Sequence, residues 1–578
     1  MAGPAAPKDP EKARPFFYIL KDKDIFGERQ KDGTGIQFIY ESDGRLINSA
    51  QITGNVTDKE ELRLLETVEG FGRLVHSIGV SVETDRPEET AEFVFQMYGK
   101  KDLYGGGTNL TTSLKCDGME HRIYLSDYRW TEDDHVPGQI KILFAAPERM
   151  GKVSVRLFLN DGYEAPPEEE DLVIDMHSEE YCGMVSRSLL QLGNPYRIRK
   201  AIEKSKAGKE VTLAYIGGSI TQGAGAIPIH TECYAYKSFQ LFQNRFSTQN
   251  NVRFIKAGVG GTPSELGMIR FDRDVLREGE RPDIVVIEFA VNDEGDETKG
   301  VCYESLVRKV LKLPWKPAVV LLFSVFANDW NLQERLRPVG DLYDLPMVSI
   351  RDAVTPQFSL KCGEGRILSK NQFFYDIFHP NNTGHTIMAD CLQYLFERCD
   401  AAEPARVGTF VEGMTEEQIL SEKLSGPAVI GADFERIFLL DKKNRYVGAK
   451  IRAGSFTSTD IELQSVEMDG NLTQTQEFPY NWMYDGSRLQ MPGFEMEITC
   501  KSLFLIFKDS GEMDVGKANV FVNDVYCMTA DPHKNNWLHC NAVLLFWETE
   551  SRSHKVRIAV TEEDRNKKFT ILGFGYTI

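Results

Sequence analysis

Short apolar segments separated by turn residues fill the first third of the chain. From about residue 15 to 180, Gly, Asp, Asn and Pro stand between PFFYIL, GIQFIY, VHSIGVSVET, AEFVFQMYG, QIKILFAA and KVSVRLFLND. Regular short strands with such turns are typical of a β-sandwich or jelly roll. We therefore predict an N-terminal, jelly-roll-like β-sandwich over residues 1–182.

A different pattern, in which strands alternate with helices, fills the middle of the chain. Its strands are almost continuously apolar, which is typical of strands that helices cover on both faces. They are VTLAYI (211–216), VRFIKA (252–257), DIVVIEFA (283–290), AVVLLFSVF (318–326) and MVSI (347–350). Five βα units on one parallel sheet, with right-handed crossovers, are the simplest architecture. The pattern predicts an α/β domain over residues 183–402.

Two helices of this region can be predicted in more detail. In YAYKSFQLFQNRF the aromatic positions recur every three or four residues, which is the stripe of an amphipathic helix. They are Tyr236, Phe239, Phe242 and Phe246. The stretch NTGHTIMADCLQYLFERC predicts the helix that closes the region.

The last part of the chain returns to short apolar segments. They are FEMEITC, SLFLIFKD, KANVFVNDVY, NAVLLFWE, HKVRIAVTE and FTILGFGYTI. We predict a second β-sandwich of the jelly-roll kind over residues 431–578. The Glu- and Lys-rich segment 414–424 predicts a helical linker within residues 403–430.

Composition narrows the classes of function. The chain has 578 residues, which is too long for one hydrophobic core, and a formal net charge of -19. An acidic protein is repelled by a polyanion, so nucleic acid is not expected as a partner. No run reaches the roughly 18 apolar residues that a membrane span needs. We expect a neutral or small ligand and no membrane partner, and homo-oligomer formation is left open.

The cysteines and the first residues bear on the compartment. The ten cysteines form no C-x-x-C pair, and no His, Cys and Asp cluster has metal-ligand spacing. The first residues, MAGPAAPKDPEKARPFF, lack the apolar run of a signal peptide. These observations predict free thiols in a reducing cytoplasm, with no metal and no cofactor.

Four motifs directly follow strands of the α/β region or precede its last helix. GGSIT places Ser219 after the first strand, GVGGT places Gly260 and Gly261 after the second, and AVND places Asn292 after the third. Each one alone can be an ordinary turn or a helix cap. GGSIT has no lysine of a phosphate-binding loop. Together they offer a nucleophile and oxyanion donors at one end of the sheet, where ligands of open α/β sheets bind.

The fourth motif, DIFHP, supplies the acid–base pair. Asp376 and His379 are three residues apart on an irregular turn, so the carboxylate can hold the imidazole while its other nitrogen faces a serine. A loop aspartate beside a surface histidine is the ordinary alternative. Because all four motifs occur in order, they predict a serine hydrolase.

The middle region resembles the SGNH/GDSL hydrolase superfamily in these four motifs, which cover roughly residues 211–385. The resemblance implies a flavodoxin-like fold with a Ser219, Asp376 and His379 triad. It also implies oxyanion donors from the Ser219 N–H, the Gly261 N–H and the Asn292 amide, with Gly260 as the neighbouring candidate for the glycine.

The sequence departs from the family pattern at two motifs. GGSIT lacks the acidic residue of GDS, and Lys256 stands where asparagine is common, with no aspartate after the glycine. All five catalytic groups are nevertheless present. The departures therefore concern the substrate subgroup more than the mechanism.

The C-terminal region resembles, more weakly, the jelly-roll modules attached to SGNH carbohydrate esterases. This resemblance implies an esterase that removes O-acetyl groups from oligosaccharides of plant polysaccharides, such as acetylated xylan or mannan. A lipid-directed esterase or thioesterase with the same triad is the alternative, and a non-catalytic carbohydrate-binding protein is a third. Trp330, Trp482, Trp537 and Trp547 are each open to a sugar-platform or a packing role.

Overall fold

The computed structural model describes residues 12–39, 45–101, 105–168, 170–402, 414–470, 473–487 and 492–578. The first part of the predicted linker, residues 403–413, lies outside these ranges. All ten cysteines are described as free thiols, and seven of them are buried.

The N-terminal region contains two antiparallel sheets, as a β-sandwich requires. One has the strand order β1-β9-β4-β7 and the other β2-β3-β8-β5-β6. The strands are β1 (Phe16–Phe26), β2 (Glu28–Arg29), β3 (Gly35–Phe38), β4 (Val75–Thr84), β5 (Thr90–Gly99), β6 (Asn109–Lys115), β7 (His121–Tyr124), β8 (Asp134–Phe144) and β9 (Met150–Leu159). Three helices that the strand pattern does not predict lie between β3 and β4: α1 (Arg45–Ile52), α2 (Lys59–Leu64) and α3 (Val68–Leu74).

The middle region is built on the five predicted parallel strands. They are β11 (Val211–Gly217), β12 (Val252–Gly258), β13 (Ile284–Glu288), β14 (Ala318–Phe323) and β15 (Met347–Ser349), and the short strand β10 (Leu189–Gln191) adds an antiparallel edge beside β15. The five predicted strands are parallel to one another, and the unpredicted edge strand β10 makes the sheet a mixed one. The parallel strands lie in the order β12-β11-β13-β14-β15, which is the flavodoxin-like 2-1-3-4-5 order.

Helices cover both faces of this sheet. They are α4 (Glu179–Ser186), α5 (Tyr196–Lys206), α6 (Ser219–Gln222), α7 (Ile229–Glu232), α8 (Tyr234–Phe246), α9 (Ser264–Phe271), α10 (Val301–Leu311), α11 (Gln333–Tyr343), α12 (Ile350–Phe358), α13 (Lys370–Phe373) and α14 (Asn382–Ala401). The two helices predicted in detail are α8 and α14. Helix α4 spans the predicted boundary between residues 182 and 183, and its Tyr181 and Met184 pack in the α/β core.

The C-terminal region is a second antiparallel sheet system. Helix α15 (Glu416–Ser425) precedes it, and its strands are β16 (Phe438–Leu440), β17 (Ala449–Arg452), β18 (Ser465–Glu467), β19 (Gln474–Gln476), β20 (Trp482–Tyr484), β21 (Phe494–Asp509), β22 (Ala518–Val522), β23 (Val525–Ala530), β24 (His539–Val560) and β25 (Phe569–Thr577). Two pairs of predicted strands are single long strands here, β21 and β24. Their pairing shifts register between Cys500 and Ser502, which bends each strand without ending it.

The core of the α/β region continues into the C-terminal region. One face of the parallel sheet buries Ala214, Ile216 and Val285 in the same cluster as Phe504 and Ile506 of β21. Helices α9, α10 and α11 contribute to this same cluster, and the opposite face buries a second cluster under other helices. The parallel sheet and the C-terminal region therefore share one apolar core.

Candidate active site

The turn that carries Ser219, the predicted nucleophile, forms where β11 meets α6. Ser219 is the first residue of α6, and Gly218 precedes it. A Cβ on Gly217 would lie 2.2 Å from Thr221 Oγ1, and one on Gly218 would lie 2.2 Å from Asn292 Oδ1. Only glycine fits at either position, so the turn brings Ser219 to the strand ends with its side chain half-buried.

Ser219, His379 and Asp376 lie together in the geometry of a catalytic triad. His379 Nε2 lies 2.9 Å from Ser219 Oγ, and His379 Nδ1 lies 3.0 Å from both carboxylate oxygens of Asp376. Asp376 Oδ1 also accepts the backbone N–H groups of Phe378 and His379. These bonds fix the carboxylate, so Nδ1 carries the proton and Nε2 can accept one from the serine.

The two glycines of the second motif differ in what their N–H groups do. The Gly260 N–H donates to Gln222 Oε1 at 2.8 Å, so it is already used. The Gly261 N–H makes no hydrogen bond to any described residue, and Gly261 is exposed with φ +71°. Gly261 is therefore the better placed of the two to donate to a ligand, as the family resemblance implies.

Asn292 lies beside the nucleophile turn, at the point where the strand order reverses. Its amide packs against Gly218, and neither its Nδ2 nor its Oδ1 has a partner among the described residues. The next residue, the buried Asp293, accepts the N–H of Ser264 at the start of α9. Burial and the nearby Asp296 raise the pKa of Asp293 to about 8. Asp293 thus connects the turn that carries Asn292 to the helix that follows the glycine turn.

A buried polar network lies behind the nucleophile. Thr221 Oγ1 donates to Glu288 Oε2 at 3.0 Å and lies 2.8 Å from the Tyr234 hydroxyl. Burial raises the pKa of Glu288 to about 7. The network fixes α6 and the end of β13 relative to each other.

Two buried cations support the same strand ends. The guanidinium of Arg270 donates to the carbonyls of Gly217, the last residue of β11, and Ala257, the residue before the last in β12. The ammonium of Lys256 donates to the carbonyl of Gln222, the residue that receives the Gly260 N–H. The lysine that departs from the family pattern therefore supports, through Gln222, the turn that contains Gly260 and Gly261.

The C-terminal region also contacts the turn that contains Gly260 and Gly261. Gln464 Nε2 donates to the Gly260 carbonyl at 3.0 Å, and its Oε1 accepts the N–H of Cys540. The ring of Trp537 lies over Gly261, since a Cβ there would be 2.6 Å from the ring. Trp537 itself is 44% exposed. The C-terminal region therefore contributes side chains beside the expected position of the oxyanion.

Three aromatic rings lie on the histidine side of the site. Phe326 stacks on Trp330 with ring centroids 5.9 Å apart and meets Phe378 edge-on at 5.1 Å. Phe378 directly precedes His379 and is 39% exposed. The rings form a partly exposed apolar surface next to His379.

The sequence motifs mark the candidate triad and the oxyanion candidates but not the residues that hold them in place. Glycine-rich turns and D-x-x-H are local signals, whereas Gln222, Glu288, Arg270, Lys256 and Gln464 carry no motif. Buried charged residues in otherwise apolar strands, such as Glu288 in DIVVIEFA, are the only signal that could have been used.

Neither a metal cluster nor a membrane span is found in the part of the chain that the structure describes. No group of three or more His, Cys, Asp or Glu side chains there could hold a metal ion. No described helix is long and apolar enough to cross a bilayer.

Comparison with known proteins agrees with this geometry. The GDSL-like lipase/acylhydrolase family matches residues 215–387, which include every candidate catalytic residue. No curated protein sequence matches the chain. This chain therefore contains a domain of the GDSL-like acylhydrolase family, and its class is that of the carboxylic ester hydrolases.

Two solved structures of one esterase share the fold. A two-domain esterase (CEX) active on acetylated mannans is 24% identical, with a TM-score of 0.55, over 68% of this chain and 98% of that chain. The same esterase co-crystallized with mannopentaose gives 24% identity and a TM-score of 0.53 over the same shares. The acetylxylan esterase Axe2 from Geobacillus stearothermophilus is 18% identical, with a TM-score of 0.26, over 34% of this chain and 97% of that chain. An SGNH/GDSL domain with additional antiparallel β-sandwich regions is thus confirmed, while the jelly-roll topology and the domain limits stay predictions.

Proposed function

We propose that this chain is a serine esterase that removes O-acetyl groups from oligosaccharides of plant polysaccharides, such as acetylated mannan or xylan. The proposal rests on two hydrogen bonds, one between Ser219 and His379 and one between His379 and Asp376. The cytoplasmic location stays a prediction.

The proposed reaction has two acyl-transfer steps. Ser219 Oγ attacks the acetyl carbonyl while His379 Nε2 takes the hydroxyl proton, and Asp376 stabilises the imidazolium. The N–H groups of Ser219 and Gly261 and the Asn292 amide stabilise the oxyanion. When the tetrahedral intermediate collapses, the bond to the sugar oxygen breaks and His379 returns the proton to that oxygen.

The second step releases acetate. Water attacks the acetyl–Ser219 ester and gives its proton to His379. The bond from the acetyl carbon to Ser219 Oγ then breaks, and His379 returns the proton to Ser219. The free enzyme is regenerated, and no group outside the chain and the two substrates is needed.

Support for a sugar substrate comes from the rings on either side of the triad. Phe326, Trp330 and Phe378 lie beside His379, where the leaving group would depart, and Trp537 lies beside Gly261. Rings present flat apolar faces that the C–H groups of a pyranose can cover while its hydroxyls stay hydrated. The mannan-active esterase with the same fold also supports this substrate class.

The test compares wild type with Ser219→Ala on acetylated manno- and xylo-oligosaccharides, on an aryl acetate and on a long-chain aryl ester. We expect only wild type to release acetate, with products lighter by one acetyl unit. Ser425→Ala, which changes an exposed serine on α15, is the matched control and should equal wild type. Equal activity of Ser219→Ala and wild type on every ester would refute the proposal.

Trp330 separates the sugar from the lipid alternative. We expect Trp330→Ala to raise KM for acetylated oligosaccharides by about tenfold, with little change on the aryl acetate, because a lost ring contact weakens binding by on the order of 1 kcal/mol. Hydrolysis of the long-chain ester with no release of acetate from oligosaccharides would support the ester hydrolase activity and refute the carbohydrate substrate.

A further inference from the structure

A lysine of the N-terminal sandwich reaches the loop that carries the acid–base pair. Lys23 lies on β1, is 2% exposed, and donates from Nζ to the carbonyls of Phe374 at 2.5 Å and Asn371 at 3.0 Å. These carbonyls belong to the segment that leads directly into Asp376. The contact joins residues about 350 positions apart along the chain.

The shape of β1 directs this side chain out of its own sheet. Asp22 adopts φ +51°, and the pairing of β1 with β9 shifts register between Leu20 and Lys23. Such a bulge turns the following side chain to a new direction, and bulges concentrate next to functional sites. The change of direction brings Lys23 to the loop that leads from Asn371 to His379, called the catalytic loop below.

Other contacts from the same region hold the same loop. Asn371 Nδ2 donates to Asp171 Oδ2 at 3.0 Å, and Gln372 Nε2 donates to the Leu172 carbonyl at 2.6 Å. Tyr375 packs against the core of the N-terminal sandwich. Its N–H donates to the His379 carbonyl, which closes the turn. The path from Asn371 to His379 is thus fixed at several points.

A buried ammonium in this place has carboxylates around it. Those that face Lys23 are Asp22 and Asp24 on its own strand, Asp171 after β9, and Asp376 on the catalytic loop. Burial lowers the pKa of Lys23 to about 8, and these carboxylates oppose the lowering. The lysine is therefore a cation at neutral pH and loses its charge in mildly alkaline solution.

We propose that Lys23 is a positioning residue for the acid–base pair: its buried ammonium holds the backbone from which Asp376 and His379 project. The inference rests on the proposed roles of those two residues. It gives the N-terminal sandwich a part in catalysis, through the loop and without contact with the substrate.

The proposal has a consequence for the pH dependence. Above about pH 8 the amine is neutral, so the two bonds to the loop lose their charge-assisted strength and kcat should fall. Stability changes in the opposite direction. Because the pKa is lower in the folded than in the unfolded state, the unfolded state binds more protons between pH 8 and the ordinary lysine pKa, and stability from this group rises with pH there. A fall in kcat in this window therefore cannot come from lost stability at Lys23.

The experiment measures kcat and KM for an aryl acetate from pH 6 to 10 in wild type, Lys23→Met and Lys23→Arg. Lys21→Met is the matched control, since Lys21 lies on the same strand and pairs with Glu168. At pH 7 we expect Lys23→Met to lower kcat by about 10-fold to 100-fold with KM nearly unchanged, because misplacing a catalytic group costs about that much. Lys23→Arg keeps its charge at every pH, so it should retain more activity than Lys23→Met and show no fall near pH 8. Lys21→Met should match wild type.

The outcomes separate this inference from the proposed function. If wild type cleaves no ester, the proposed function fails. If wild type is active and Lys23→Met has the same kcat, the inference is wrong. Should Lys23→Met not fold, Lys23→Arg decides alone, because a fall near pH 8 that persists in Lys23→Arg would assign that fall to another group.

Discussion

Asn292 is a residue whose surroundings differ from those of an ordinary turn asparagine. A turn or cap asparagine bonds to nearby backbone, whereas the Asn292 side chain has no partner among the described residues and packs on Gly218 next to the nucleophile. An unused amide at a switch point of the sheet is suited to a ligand that gains negative charge. This position agrees with the oxyanion role that the family resemblance implies.

Removal of this amide should slow turnover more than it weakens binding. We expect Asn292→Ala to lower kcat by about 10²-fold to 10³-fold, because an oxyanion donor acts mainly in the transition state. KM for an acetylated oligosaccharide should change by less than about threefold, because the amide contributes little to binding of the substrate in its ground state. The measurement is steady-state kinetics.

An isosteric variant provides the control for Asn292→Ala. Asn292→Asp keeps the shape and removes the donor, so it should lose at least as much kcat. If Asn292→Asp retained wild-type kcat, a purely spatial role for the side chain would follow.

At the scale of elements, the turn that contains Gly260 and Gly261 depends on a segment outside the α/β region. Gln464 joins the Gly260 carbonyl to the backbone of β24 and is almost fully buried. No corresponding bond to the Gly260 carbonyl comes from the described residues of the α/β region. The position of this turn is therefore set in part by the C-terminal region.

The bond from Gln464 can be tested by a change that keeps its size. We expect Gln464→Glu to lower kcat about tenfold, because it replaces a donor with a carboxylate next to the Gly260 carbonyl and displaces the turn. Gln476→Glu is the matched control: its amide donates to the Ile461 carbonyl in the same region, and it is exposed. Equal kcat for Gln464→Glu and wild type would show that the turn holds its place without this bond.

The elements show what could be predicted from sequence. The parallel strands and the turns after them were predictable because apolar runs and glycines are local signals. The continuity of β24 was not, because its polar stretch ETESRSH has the composition of a loop, and only pairing with β21 keeps it extended. The edge strand β10 is three residues long, too short to show a period.

The same contrast holds for the site. Ser219, Asp376 and His379 occupy motifs that a reader can find, and the geometry brings them together as predicted, although their catalytic roles stay predictions. Lys23 and Gln464 reach the site from other regions, and their sequence neighbours give no sign of it. Tertiary contacts of this kind depend on how the regions pack, which no local pattern encodes.

At the scale of the whole molecule, a buried ionic network joins the α/β and C-terminal regions. Arg273, after α9, bonds to both Asp274 and Glu477, and Arg270 bonds to Asp274. Asp274 and Glu477 are buried, and the pKa of Asp274 is held low by the two guanidinium groups despite its burial. The network lies beside the apolar cluster that the two regions share.

Loss of one member of this network should destabilise both regions together. We expect Glu477→Ala to lower the free energy of unfolding by about 3 kcal/mol, because breaking a buried ion pair leaves an uncompensated charge. Glu462→Ala, at an exposed glutamate of the same region, should change it by less than about 0.5 kcal/mol.

Urea titrations followed by circular dichroism and tryptophan fluorescence measure this change. The two probes should move together, since a shared core unfolds as one unit. Separate transitions for the two probes would contradict that coupling.

The apolar cluster shared by β21 and the parallel sheet limits how this protein can be divided for engineering. A fragment cut to the limits of the GDSL-like match would lose the part of this cluster that β21 supplies, including Phe504 and Ile506, and would expose to water the apolar side chains that pack against it. Recombination that exchanges the catalytic segment between relatives would need to carry the matching C-terminal strands with it. An exchange that keeps activity must therefore include more of the chain than the segment that carries the motifs.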